Sequence, residues 1–240
     1  MNPDTLDDAK TLLSSIARKA AKAPKVSVII APPAPFIAHL AKKDQDVALS
    51  SQDVSSEERG AFTGSVSALE LKSVGAKYAI IGHSERRKAG DTNEEIGKKV
   101  LRAIEAGLKV ILCVGERERD QEAKYLREVR EQILANIAKV DQKKAGSLII
   151  AYEPVWAIGK SYDTALLPRD IHEMTIYIRK VASETLGKQA LKLKILYGGS
   201  VNFENAQAIL REAEIDGLLV GRQSLDPEGF GAMIEYANGL

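Results

Sequence analysis

The stretch AYEPVWAIGK, Ala151 to Lys160, puts a carboxylate, Glu153, at the end of an apolar run that begins Leu148, Ile149, Ile150. Pro154 follows it, holds Glu153 in extended geometry and stops the strand there. Val155, Trp156, Ala157 and Ile158 are apolar although they stand where a surface loop belongs, and Gly159 closes the run ahead of Lys160. A loop with Pro at one end, Gly at the other and Trp and Ile between predicts a lid that packs its apolar residues only when closed. An acid at a strand mouth beside a water-excluding lid is a candidate general base.

A second motif, GHSERR, Gly82 to Arg87, follows the apolar run Tyr78–Ile81. His83 then stands at the carboxyl edge of a strand and opens a short helical turn through Ser84 and Glu85. Backbone N–H groups at such a turn disfavour a cation, so a neutral imidazole that donates a hydrogen bond is expected. For a lone histidine the plainer reading is a turn cap; Glu153 at the matching end of another strand favours the chemical one. Two glycine turns come after the last two strand candidates, YGGS at Tyr197–Ser200 and VGR at Val220–Arg222. Glycine lets main-chain amides approach an anion, and a helix that starts after such a turn attracts phosphate. Glu116 reads either as a strand-end acid that supports the lid or as a solvated helix start. Cys113 lies inside ILCV and reads as core. His172 and Glu173 are not followed by a second histidine four positions after the first, which excludes the zinc-protease helix.

Strands and helices must alternate to place these groups. Short apolar runs predict strands at Val26–Ala31, Val47–Ser50, Tyr78–Gly82, Val110–Val114, Leu148–Tyr152, Leu193–Tyr197 and Gly217–Val220. Helical spacing predicts helices at Asp4–Lys22, Pro35–Lys42, Val66–Ser73, Asn93–Ala106, Glu118–Val140, Pro168–Leu186, Phe203–Arg211 and Pro227–Tyr236, with Gly107 and Gly187 as stops. The alternation requires a parallel sheet with right-handed crossovers. Seven strands against eight helices leave two architectures: an open doubly wound sheet, or an eightfold barrel without its first strand. The polar segment Asp53–Gly64 is too long for an ordinary connection and predicts a functional loop or an interface.

The 240 residues are 45% hydrophobic, enough for one large core in one domain spanning residues 1–240. Thirty-four basic and 33 acidic residues give a net charge of +1, so no global field favours nucleic acid or a membrane surface. One cysteine rules out an internal disulfide and predicts a reducing, cytoplasmic location. No signal peptide or run of membrane-spanning length is visible.

Taken together, YEPVWAIG, GHSERR, CVGE, YGGSV and GLLVG, in that order and across essentially the whole chain, resemble the triosephosphate isomerase family. The resemblance implies a TIM (β/α)8 barrel. It also implies interconversion of dihydroxyacetone phosphate and glyceraldehyde 3-phosphate through an enediolate, without metal or cofactor. Glu153 is then the base and His83 the neutral electrophile. Gly159, Ser200 and Gly221 are main-chain donors to the phosphate, joined by the N–H of Arg222, which stands where the family has a second glycine. Pro154 to Lys160 is the lid, and Ile158 and Leu219 form the apolar clamp over Glu153. Tyr197 and Glu116 hold lid positions, and Ser84 and Glu85 support the site. The family works as a homodimer through a loop matched by Asp53–Gly64, with Thr63 at its tip.

Three departures stand out. The family opens with a strand ending in an N-W-K-M-N-like motif whose Asn and Lys contact substrate. Met1–Asn2 aligns with only its last two letters, so the expected barrel lacks its first strand and catalytic lysine, which points to a shifted start or a trimmed chain. A phosphate-binding barrel with impaired catalysis is the alternative that this loss raises. Past Gly159 the far hinge reads KSYDTALLP, and Ser65 stands where an acid is common, which predicts a weaker ion pair at Arg86.

Overall fold

Seven short parallel strands, β1 (Val28–Ile30), β2 (Val47–Ser51), β3 (Tyr78–Ile81), β4 (Lys109–Val114), β5 (Leu148–Tyr152), β6 (Lys194–Tyr197) and β7 (Gly217–Leu218), pair in sequence order. They belong to a computed structural model that describes residues 2–41, 46–158 and 166–240. Register runs without interruption through the middle, with Leu112 opposite Ile150 and Ile150 opposite Ile195. Consecutive strands pair parallel throughout, which removes the doubly wound alternative, whose strand order reverses partway. The architecture is that of a TIM barrel, with seven strands among the described residues.

Nine α-helices among the described residues surround the sheet: α1 (Leu6–Ala20), α2 (Ala34–Leu40), α3 (Ala68–Ser73), α4 (Ser84–Lys88), α5 (Asn93–Glu105), α6 (Lys124–Ile137), α7 (Pro168–Leu186), α8 (Phe203–Glu212) and α9 (Pro227–Asn238). Their starts follow local chemistry. Thr92 and Glu95 cap α5 reciprocally, each side chain accepting from the other's backbone N–H. Thr5 accepts from the Asp8 N–H at the start of α1, and Arg18 and Lys19 complement its carboxyl end. The apolar stripes face inward: Ile96, Val100 and Ala103 of α5 and Val129, Ile133 and Ile137 of α6 are fully buried against the sheet.

Several boundaries differ from expectation. The helix expected at Glu118–Val140 begins only at Lys124, so Glu116–Lys124 is not its solvated first turn. Asp120 accepts from the N–H groups of Lys124 and Tyr125, and Ala123 takes a left-handed φ of 57°, which sets the start there. The strands β1 and β7 are shorter than Val26–Ala31 and Gly217–Val220. Each has one pairing neighbour among the described residues, so less ladder holds it extended. Outside them the first and last helices meet. Lys19 of α1 lies 2.9 Å from Glu235 of α9, and Asn238 accepts from the Lys25 N–H. No helix among the described residues is long and apolar enough to cross a membrane.

Candidate active site

The carboxyl ends of β3 and β5 bring the two expected chemical groups together: His83 Nε2 lies 3.2 Å from Glu153 Oε1. His83 caps α4, and its Nδ1 accepts from the Glu85 N–H at 3.3 Å. An Nδ1 that accepts leaves Nε2 as the nitrogen that carries a proton, and Nε2 is the one that faces Glu153 Oε1. Cap and chemistry are therefore the same geometry: capping fixes which nitrogen carries the proton. The other carboxylate oxygen of Glu153 accepts from the Ser84 N–H at 3.2 Å.

Glu153 is 3% exposed. Burial pushes its carboxyl above the ordinary range; His83, the Ser84 N–H, Cys113 and Arg87 pull it back. A carboxylate so raised is a stronger base at neutral pH than a solvated one. Its main chain is gripped from both sides, since Glu153 N–H donates to Val114 O at 2.8 Å and Gly198 N–H donates to Tyr152 O at 2.8 Å. Glycine is required beside it. A Cβ on Gly115 would stand 1.9 Å from the Glu153 carbonyl oxygen, and one on Gly198 would stand 2.9 Å from Glu153 Cγ.

The lid's near half is partly packed, which differs from apolar residues that pack only on closure. Val155–Ala157 form a 3-10 turn with Ala157 buried, while Ile158 is 39% exposed. Glu116 ties this turn to β4. Its buried carboxylate accepts from Trp156 Nε1 at 2.8 Å and from the Tyr152 hydroxyl at 2.9 Å, and its carbonyl accepts from the Val155 N–H. Burial raises the Glu116 carboxyl, and the Trp156 and Tyr152 donors oppose that. Glu116 is therefore no solvated helix start. Tyr197 is fully buried beside Tyr152, with ring centroids 6.4 Å apart, and its hydroxyl has no partner among the described residues. Burial raises both phenols well beyond their ordinary range.

Ser200, Leu219, Gly221 and Arg222 follow β6 and β7 at the same end of the sheet. Ser200 follows β6, and its carbonyl accepts from Asn205 Nδ2 at 2.9 Å. Leu219 donates its N–H to Tyr197 O and stands beside Gly198, next to Glu153. Gly221 precedes a 3-10 turn over Arg222–Leu225, with Gly221 and Arg222 exposed. Glu85 is 85% exposed and lies 3.9 Å from His83 Nδ1, so its N–H rather than its carboxylate acts on the ring. Gly159 and Lys160 lie outside the described residues. Cys113 is buried core. Arg86 is not weakly paired despite Ser65: it lies 2.9 Å from Asp53 and 3.1 Å from Asp91.

Two supports were not expected from sequence. Arg87 donates to Gly82 O at 2.8 Å, to Asn93 Oδ1 at 2.7 Å and to Cys113 O at 3.1 Å, joining the ends of β3 and β4. Gln132 on α6 exchanges two hydrogen bonds of 2.9 Å with the main chain of Gly115. Polar residues on an otherwise apolar helix stripe were the available signal for Gln132.

A parallel barrel-type sheet thus holds a buried acid beside an imidazole at the carboxyl ends of its strands. The family model described as triosephosphate isomerase matches residues 1–237. Curated proteins named triosephosphate isomerase agree. The protein from Aquifex aeolicus is 41% identical over 86% of this chain and 84% of its own length. Those from Symbiobacterium thermophilum (38%; 97% and 92%) and Yarrowia lipolytica (43%; 85% and 83%) are similar. The chain belongs to the triosephosphate isomerase family.

Proposed function

We propose that this chain interconverts dihydroxyacetone phosphate and D-glyceraldehyde 3-phosphate by proton transfer, with Glu153 as base and His83 as electrophile. Glu153 takes a proton from C1 of the ketone, and the electron pair moves onto the C2 oxygen as an enediolate. His83 Nε2–H donates to that oxygen and stabilises the charge. As the O1 hydroxyl proton passes to the C2 oxygen, the same carboxyl returns its proton to C2, which leaves the aldehyde at C1. For this, substrate enters between ring and carboxylate, parting the 3.2 Å approach of Nε2 to Oε1, and the Nε2–H turns to the substrate oxygen. Main-chain N–H groups of Ser200, Gly221 and Arg222, with Gly159 of the lid, hold the phosphate, and Ile158 and Leu219 cover the base. The reaction needs no cofactor.

The observation that carries this reading is the 3.2 Å approach of His83 Nε2 to Glu153 Oε1, with Nδ1 already engaged by Glu85 N–H. A coupled assay in both directions tests it. Wild-type chain turns over, and His83→Gln and Glu153→Gln each lose at least about 100-fold in kcat. A His83→Gln chain at full activity would refute the assignment.

The same reading makes the protein a cytoplasmic homodimer joined through Asp53–Gly64. Phe62 is 47% exposed in that loop, with Val66 at 39% and Leu69 at 41% just after it, an apolar row suited to a second copy. Light scattering gives the mass, and Phe62→Asp shifts it to that of a monomer.

A further inference from the structure

Beneath the GHSERR turn, four charged side chains from four segments converge: Asp53 after β2, Arg86 on α4, Asp91 between α4 and α5, and Lys99 on α5. Lys99, 6% exposed, donates to Asp53 Oδ1 at 3.0 Å, to Asp53 Oδ2 at 2.8 Å and to Asp91 Oδ2 at 2.5 Å. The Arg86 guanidinium spans the same two aspartates, 2.9 Å from Asp53 and 3.1 Å from Asp91. Two cations and two anions balance, so the cluster is neutral as a unit and charged when any member is removed.

The helix these charges hold is α4, five residues long and unable to persist through its own hydrogen bonds. Its main chain is coupled to the site, since the N–H groups of Arg86 and Arg87 both donate to the His83 carbonyl, at 2.9 and 3.0 Å. Arg87 fixes the strand end at Gly82. Beyond its main-chain bonds, the Arg86 side of the turn is held by the Asp53–Asp91–Lys99 cage. We infer that Lys99 is a positioning residue for catalysis: by holding Asp53 and Asp91 together on Arg86, it sets the direction of His83 Nε2 and of the Ser84 N–H that receives Glu153. Without the ammonium the two aspartates repel, Arg86 follows one of them, and α4 rotates with its cap. Asp53 opens the segment Asp53–Gly64, so the cage also transmits that loop's placement to the imidazole.

This inference rests on the assignment of His83 above, and the experiment separates the two. Lys99→Met keeps the length and apolar stem and removes the charge; Lys99→Arg restores it; His83→Gln is carried in parallel. Lys99→Met is expected to lose about tenfold or more in kcat while KM and affinity for inorganic phosphate stay within about twofold, because only orientation changes. The imidazole 15N signals of His83 should move from a single Nε2–H tautomer toward an exchanging mixture, and Lys99→Arg should recover both. Should Lys99→Met not fold, Asp53→Asn is read in the same assays with the same expectation, at smaller amplitude. A folded variant with unchanged kcat and unchanged His83 signals overturns the positioning role, as does a kcat loss with unchanged His83 signals. If His83→Gln is itself fully active, the assignment of the electrophile fails instead.

Discussion

Shortening Glu153 to Asp moves the base without removing it. One methylene withdraws the carboxylate by about 1.5 Å. From its present place the acid reaches His83 Nε2 at 3.2 Å and the Ser84 N–H at 3.2 Å, so an aspartate loses both contacts. The main chain cannot follow, because the Gly115 backbone abuts the Glu153 carbonyl and Val114 O holds its N–H. A displacement of about 1 Å at a reacting centre costs on the order of 100-fold. Withdrawal by more than that should lower kcat by about 100- to 1000-fold, roughly 3–4 kcal/mol of transition-state stabilisation. The proposed phosphate donors, after β6 and β7 and at Gly159, are main-chain groups that the change leaves alone, so affinity for inorganic phosphate should stay within about twofold. A coupled steady-state assay gives kcat and KM, and calorimetric titration gives phosphate affinity. Equal losses in turnover and phosphate binding, or an aspartate variant with near-normal kcat, would refute a role confined to proton transfer.

Glu153→Gln should be inactive yet more stable than wild type at pH 8. Burial raises the folded-state pKa of the acid, so this group's contribution to stability is fully present below the unfolded carboxylate range and is lost as pH rises through the folded value; glutamine has no such loss. Melting curves at pH 4.5 and pH 8 should show the gap opening only at the higher pH, and parallel curves would contradict this. Arg87→Met should destabilise the chain by about 3 kcal/mol or more, since Gly82 O, Cys113 O and Asn93 Oδ1 all lose a buried donor. Urea unfolding measures it, and a cost under about 1 kcal/mol would show the arginine to be dispensable. Adding about ten residues ahead of Asn2 that form a strand and carry a lysine should raise kcat by about tenfold or more, because β1 and β7 each lack a second neighbour among the described residues. No gain with the lysine, or an equal gain with alanine in its place, would count against a cation supplied from that side.

The strands, and the standing of Glu153 and His83 at strand mouths, were legible because both rest on short-range signals. Continuous apolar runs such as ILCV and LIIAY have only one comfortable place, in a sheet covered on both faces. A carboxylate or imidazole just past such a run must stand at its mouth. Boundaries were harder wherever one side chain sets them. Asp120 starts α6 by accepting from Lys124 and Tyr125, and nothing in the charge pattern of Glu116–Lys124 distinguishes that aspartate from its neighbours. Long-range pairings were illegible for a different reason. Gln132 with Gly115, and Lys99 with Asp53, join residues 17 and 46 positions apart, and only the packed crossover brings them into contact. Ser65 misled because it marked an acid missing in one place while Asp53 and Asp91 supply two elsewhere.

Gly115 lies where the β4 end passes the base, and the carbonyl oxygen of Glu153 occupies the volume that any side chain there would fill. The acid therefore rides on a fixed pivot. Whatever swing brings its carboxylate from the imidazole to a bound ketose is confined to torsions beyond Cα, with no peptide unit to flip and no strand to shift. In the proposed reaction, a base mounted this way inherits its placement from the sheet.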